Sequence, residues 1–304
     1  MKKVILWGMG IEYDSLLNNI RYEILKKNII VEAIVCKKCD IFCANRDGFP
    51  VISKEQINRV VFDYLVITAA KFFDEIKRDA KEIGIPEEKI IDGRLFREPF
   101  FDFSRYVSLI ENPVTILSDD CWGGVVYKYL NLKMSSPTIN IAWNREEYSK
   151  FISNPLFYID SEFTKVREAD LENGMWPVAS IGKDGDYVQM ELIHNTCFEE
   201  AREQWNKRKK RINKDNIFVK MGLNGTIPNK EKLICLFKKL PYKKILFDYC
   251  QEANSDCVNI NRFKWFQQKD DIVHTFDFNE YMRGNYYYEL DILKLLTGEK
   301  DFLR

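Results

Sequence analysis

The stretch Ser118-Asp119-Asp120-Cys121-Trp122-Gly123-Gly124 places two carboxylates, a thiol, an indole and two glycines between an apolar run, Val114–Leu117, and a helix-like run, Val125–Leu130. At a strand-to-helix corner the first amides of the helix face the crevice. Asp119, Asp120 or Cys121 would meet a substrate there, and Gly123 and Gly124 would let a ligand or another backbone approach. A helix N-terminus lowers the pKa of a thiol and adjacent carboxylates raise it, so the sequence leaves the activation of Cys121 open. The competing reading has one acid capping the helix while Cys121 and Trp122 fill the core. Capping accounts for only one of the two acids.

Two further groups could join such a corner. His194, in Glu191-Leu-Ile-His-Asn, ends a predicted strand just before a helix and is the leading general base. His274, in Asp271-Ile-Val-His, ranks second. The run Trp205–Asn216 carries Lys207, Arg208, Lys209, Lys210, Arg211 and Lys214. By composition it is a solvated helix end; the alternative turns Arg208 or Arg211 inward to hold a phosphate or carboxylate in a bidentate fork.

Gly8 and Gly10, directly after a first strand, match the first two glycines of a dinucleotide fingerprint and are the cofactor-binding positions, with the cofactor itself unknown. Tyr13 stands at the third position, and Lys37 and Lys38 stand where a ribose-binding acid is expected, which disfavours a dehydrogenase. Cys36, Cys39 and Cys43 offer three thiolates where a structural zinc needs four ligands, and both histidines are remote, so no metal is expected.

These residues need elements to hold them. Strands are predicted at Lys2–Gly8, Val31–Cys36 and Tyr64–Ala70, with helices at Tyr13–Lys27 and Phe72–Gly84 and a short strand at Lys89–Gly93. This is the alternation of a Rossmann-like doubly wound parallel sheet over residues 1–98. Residues 99–112 are too aromatic for a free linker and read as a packed, partly helical connector. A second α/β domain with a mixed sheet follows over residues 113–304. It is predicted to hold a strand in Pro137–Trp143, a helix from Asn144 capped by Asn144 and Glu147, a hairpin around Gly182–Asp186, and a helix across Phe198–Ile212. Strands Asn216–Met221 and Lys243–Cys250 flank a helix over Asn229–Leu240, with a last helix around Tyr287–Leu296.

The 304 residues allow two domains, and 46 basic residues balance 46 acidic ones, so no global field draws the chain to nucleic acid. No window reaches a membrane span, and the apolar run of Met1-Lys-Lys-Val-Ile-Leu-Trp is too short for a signal peptide. A cytoplasmic location is therefore expected, with the eight cysteines reduced.

Asp119–Gly124, Leu132–Ile152, Trp176–Gly185 and Glu199–Met221 together resemble an uncharacterised family of bacterial exopolysaccharide-biosynthesis proteins, with the likeness running from about Pro113 to Leu246. The family's Asn-Asn-Cys-Trp-Gly-Gly motif falls on Asp119-Asp120-Cys121-Trp122-Gly123-Gly124, its Ser-Pro-Thr on Ser136, Pro137 and Thr138, and its Leu-His on Ile193 and His194. Its arginine-rich motif falls on Trp205, Arg208, Arg211, Asn213, Asp215 and Asn216. The first domain resembles small Rossmann-like units attached to polysaccharide enzymes, through Trp7–Gly10, Phe49–Ser53 and Gly84–Ile91.

The resemblance implies a glycosyl or acyl transferase of exopolysaccharide or capsule biosynthesis. His194, Asp120, Asp119 and Cys121 would be catalytic; Trp122, Gly123, Gly124, Thr138, Arg208, Arg211, Asn213 and Asp215 would bind substrate. The partners expected are a nucleotide-sugar or acyl donor and a saccharide acceptor, with a homo-oligomer possible. The alternatives are a non-catalytic nucleotide-sugar or polysaccharide-binding protein and, ranked last, a hydrolase using Cys121 as nucleophile with His194.

Overall fold

The computed structural model describes residues 1–36, 45–223, 229–248, 257–259 and 285–303, and the chain divides into two units, Met1–Glu111 and Asn112–Arg304. Both are α/β, a parallel sheet with helices in the first and parallel and antiparallel strands with helices in the second.

In the first unit, β1 (Lys2–Trp7), α1 (Ile11–Leu25), β2 (Ile29–Val35), β3 (Asn45–Arg46), β4 (Phe49–Ile52), β5 (Tyr64–Ile67), α2 (Phe73–Glu82), β6 (Ile90–Asp92) and α3 (Phe103–Glu111) follow in order. The six strands lie in the order β3-β4-β2-β1-β5-β6, parallel throughout except for the β3–β4 hairpin, which sequence reasoning passed over because its strands are too short to show alternation. The central strands are apolar runs because both faces of a parallel sheet are covered; Val4, Ile5, Leu6, Leu65 and Val66 are fully buried. The aromatic segment after β6 is part of this unit. Phe96, Phe101, Phe103 and Tyr106 form one ring cluster, and Asp102 accepts from Arg105 N–H in the first turn of α3 and from Lys26 Nζ.

Gly8 has φ +124, and an added Cβ would lie 2.9 Å from Ala69 Cβ and 3.0 Å from Thr68 Oγ1. Thr68 Oγ1 also donates to Gly8 O at 2.8 Å. The space this glycine frees is therefore filled by the end of β5. Gly8→Ala is expected to destabilise the first unit by about 1–3 kcal/mol, read as a lowered thermal midpoint. Gly10 caps α1 and has open space around it, but the first turn of α1 carries Glu12 and Asp14, which oppose an anionic ligand there. Tyr13, in the third fingerprint position, is fully buried and donates to Asp47 Oδ2.

The second unit runs β7 (Thr115–Ser118), α4 (Trp122–Tyr129), α5 (Arg145–Ser153), α6 (Pro155–Asp160), β8 (Glu162–Arg167), β9 (Val178–Lys183), β10 (Asp186–Glu191), α7 (Phe198–Lys209), β11 (Ile217–Leu223), α8 (Lys230–Lys239), β12 (Lys243–Asp248), β13 (Cys257–Asn259) and α9 (Ile292–Thr297). Its parallel strands form a sheet in the order β13-β12-β11-β7, and its antiparallel strands form a second sheet, β10-β9-β8. One core joins Leu117, Val219 and Leu246 of the first sheet to Phe163, Ile181 and Val188 of the second, with Trp143, Phe151 and Trp205 between them.

Three local expectations change. Pro137–Trp143 is not a strand. Only Ala142 bridges to Glu191, because Ser136 and Thr138 satisfy the backbone with their own hydroxyls and Asn140 is left-handed at φ +63. Asn144 does cap α5, accepting from Glu146 N–H at 2.9 Å, but Glu147 accepts from Gln189 N–H of β10 instead of returning to the cap. α7 stops at Lys209, its last turn tightening into three-residue hydrogen bonds from Arg211 to Arg208 and from Ile212 to Lys209.

Candidate functional site

β7 and β11 are neighbours and parallel, with Thr115 beside Ile217 and Ser118 beside Lys220. The residues that follow β7 therefore emerge at the carboxyl end of this sheet, where open α/β sheets bind ligands. Asp119 points into the sheet. Its Oδ1 accepts from Lys220 Nζ at 2.8 Å and its Oδ2 from Gly222 N–H at 2.9 Å. Asp120 turns the other way along the helix: Oδ1 accepts from Trp122 N–H at 2.9 Å, capping the first turn of α4, and Oδ2 accepts from the same Lys220 at 2.5 Å. The two adjacent acids thus have separate tasks and one shared cation.

Lys220 was not singled out by sequence reasoning. It is 1% exposed in a strand whose other members are apolar, and Tyr148 Oη donates to its backbone carbonyl at 2.9 Å. The available signal was the lysine itself: a cation in the middle of Ile-Phe-Val-Lys-Met, a run that a parallel sheet buries on both faces, requires buried acids opposite.

The cluster takes Asp119 and Lys220 out of water, and each of these two binds its proton more tightly than usual. Burial raises the Asp119 pKa and Asp120 adds to it, against the pull of Lys220 and the Gly222 amide. Burial acts to lower that of Lys220, and the two carboxylates outweigh it and leave it raised.

Cys121 sits at the N-cap of α4, with Sγ 3.7 Å from His194 Nε2. His194 is exposed, left-handed at φ +65, and follows β10 in a turn in which Asn195 N–H and Nδ2 both return to Leu192 O. Trp176 flanks the imidazole at 5.9 Å between ring centroids. Burial, and then the charge of Asp120, push the Cys121 thiol up to about 11, with Lys220 opposing. The thiol is protonated at neutral pH. Alkylation of Cys121 by iodoacetamide is accordingly expected to run about a hundredfold slower at pH 7.5 than that of a thiol with an ordinary pKa near 9, and to accelerate with pH up to about 11. Peptide mapping after timed labelling would show it, with exposed Cys235 as the fast internal control. Rapid labelling at pH 7.5 would contradict the burial argument.

The remaining expected positions separate. Trp122 is fully buried between Phe218 and Phe247, and Gly123 and Gly124 face Ile116, Ser118 and Ile139, so the room those glycines provide is taken by the chain's own side chains. Thr138 is 1% exposed, with Oγ1 accepting from Ser118 N–H at 3.3 Å. Arg208 donates to Ile139 O and Gln204 Oε1, and Arg211 to Met134 O, which ties α7 to the 131–141 loop. Asn213 donates through Nδ2 to Asn112 Oδ1 and Pro113 O and through its amide to Thr115 Oγ1. Asp215 N–H closes onto Asn213 Oδ1. Asn213 and Asp215 thus stand at the amino ends of β7 and β11, the opposite end of the sheet from Asp119 and Cys121. Strand polarity decides that separation.

Among the described residues no group of three or more His, Cys, Asp or Glu side chains is placed to hold a metal ion, and no helix is long and apolar enough to cross a membrane. Cys39, Cys43, Lys37, Lys38 and His274 lie outside the described residues.

Residues 92–297 match a family model described as "Domain of unknown function (DUF1919)". This chain belongs to the DUF1919 family. The match takes in all of β7 to α9, so the site built on Asp119, Asp120, Cys121, His194 and Lys220 lies wholly within the DUF1919 region. Residues 1–91 match a second model, "C2185-like, N-terminal". The chain is also 25% identical over 211 residues to a protein of Haemophilus influenzae described as an uncharacterized protein, an alignment covering 69% of this chain and 97% of that one.

Proposed function

We propose that the DUF1919 unit is a transferase that moves an acyl or glycosyl group from an activated donor onto a saccharide hydroxyl in the assembly of a surface polysaccharide. The observation that carries this reading is the meeting of His194 Nε2 with Cys121 Sγ at 3.7 Å, at the carboxyl end of a parallel sheet and beside the buried Asp119–Asp120–Lys220 cluster. His194 Nε2 takes the proton of the acceptor hydroxyl; the oxygen so released attacks the donor carbon, and the leaving group departs with the bonding pair. Cys121, a neutral thiol held by burial, sits beside the base. That protonation state weighs against the hydrolase with a cysteine nucleophile. The polysaccharide setting rests on the motif resemblance at Cys121–Gly124 and Trp205–Asn216.

The test is to incubate the protein with nucleotide-sugars or acyl-coenzyme A and neutral saccharides and to follow products by mass spectrometry. A transfer product that disappears with His194→Asn supports the reading. Donor or saccharide binding without product from any donor class would instead make the protein a non-catalytic binding protein.

A further inference from the structure

The outer face of the antiparallel sheet carries a groove with no assigned role. It has a volume of about 750 Å³ and is lined on β8 by Val166 and Arg167, on β10 by Gln189 and Glu191, and beside β10 by Asn144 and by Glu147 of α5. Register places these groups. Arg167 pairs with Val178, Val178 with Glu191, and Glu191 with Ala142, so one continuous row crosses the sheet from Arg167 to the 142–144 segment. Paired residues share a face, and this face is opposite the one on which Phe163, Ile181 and Val188 enter the core. Two strand spacings put the backbones of Arg167 and Glu191 about 10 Å apart, the length of two sugar rings.

Both walls of the groove lead to the corner of Asp119 and Cys121. Trp143 N–H donates to Asp119 O at 3.2 Å, and the chain that leaves Glu191 reaches His194 three residues on. The charge pattern selects the occupant. Two carboxylates, two amides and a single guanidinium line the groove, and Glu147 already gives one oxygen to Gln189 N–H. A nucleotide diphosphate would bring at least two negative charges against Glu147 and Glu191 with one cation to answer them. A neutral saccharide presents hydroxyls that both donate to carboxylates and accept from amides and guanidinium. The volume lies within the range of small-molecule sites.

We infer that this groove is the binding site for the saccharide acceptor, taking about two neutral sugar units and excluding the nucleotide or coenzyme moiety of the donor. The inference rests on the transferase reading for its place in the reaction, and its test separates the two. Saturation-transfer NMR on the full chain, with neutral disaccharides of glucose, galactose, mannose and N-acetylglucosamine, and with uridine diphosphate glucose as the contrasting probe, is expected to show binding of at least one disaccharide.

Arg167→Ala and Glu191→Ala, both at exposed positions and checked for folding by circular dichroism, are each expected to weaken that binding about tenfold, the loss of a hydrogen bond to a charged group. His194→Asn, which keeps the left-handed turn after β10, should retain it. Absence of binding by all four disaccharides, unchanged binding in both groove variants, or displacement of a bound disaccharide from the groove by uridine diphosphate glucose would overturn the inference. Disaccharide binding that depends on Glu191, with no transfer product from any donor, would sink the transferase reading and leave the groove standing. Transfer that needs His194 but keeps its acceptor KM in both groove variants would do the reverse.

Discussion

Replacing Lys220 with methionine is expected to destabilise the second unit by about 3–5 kcal/mol, the usual consequence of removing one partner from a buried ion pair. Lys220 is the cation that meets both Asp119 and Asp120, and its side chain and that of Asp119 are almost wholly enclosed. Methionine fills similar volume, so little of the loss comes from a cavity; it comes from leaving the carboxylate of Asp119 without its counter-charge. For a unit of this size the thermal midpoint should fall by roughly 10 °C.

The double variant Lys220→Met with Asp119→Asn should recover a large part of the loss, because the uncompensated charge is then gone. A Lys220→Met protein as stable as wild type, or a double variant no better than the single one, would show that the charges do not interact as the distances indicate. The pH sense follows from the raised lysine pKa: the stabilisation is fully present below the ordinary lysine range and is lost only as pH climbs through the raised value. Mild alkali up to that range should leave the pair intact.

If the protein is the transferase proposed above, removing the imidazole of His194 is expected to lower kcat/KM by about 10²- to 10⁴-fold, the span of a general base. The suitable variant is His194→Asn. The position is left-handed at φ +65, a conformation asparagine adopts more readily than alanine, so the turn after β10 keeps its shape while the base is lost. Cys121→Ala gives the contrast. If His194 deprotonates the acceptor directly, the thiol variant should retain activity within about tenfold. If instead the thiol is the nucleophile, Cys121→Ala should lose as much as His194→Asn, since residues that act as one unit fail together. Steady-state rates for wild type and the two variants decide between these outcomes, and equal activity of His194→Asn and wild type would remove His194 from the chemistry.

Much of the architecture is legible in the residues alone, because it depends on neighbours in the chain. The apolar runs Val4–Trp7, Tyr64–Ile67 and Ile217–Val219 become central parallel strands; Asn144 caps the helix it precedes; and Gly182–Asp186 turns the β9–β10 hairpin. The corner after β7 is legible in the same way, as an apolar run broken by acids and glycines. Elements with weak local patterning escape such reading: β3 with two residues, α6 with six, and β8, whose side chains are mostly exposed.

The site itself was decided by tertiary structure. Cys121 and His194 are 73 positions apart and Asp120 and Lys220 are 100, and no local periodicity connects them. Laying β11 beside β7 in parallel brings Lys220 level with Ser118, and that single pairing gives both acids one counter-ion. The same parallel register sends Asn213 and Asp215 to the opposite end of the sheet, although they belong to a motif as conspicuous as the first. Sequence by itself determined that this chain is a two-part α/β protein with a chemically equipped strand-to-helix corner, since propensity, capping and hydrophobic period act over a few residues. Which charged groups face one another depends on strand order and polarity, and these are properties of the assembled sheet.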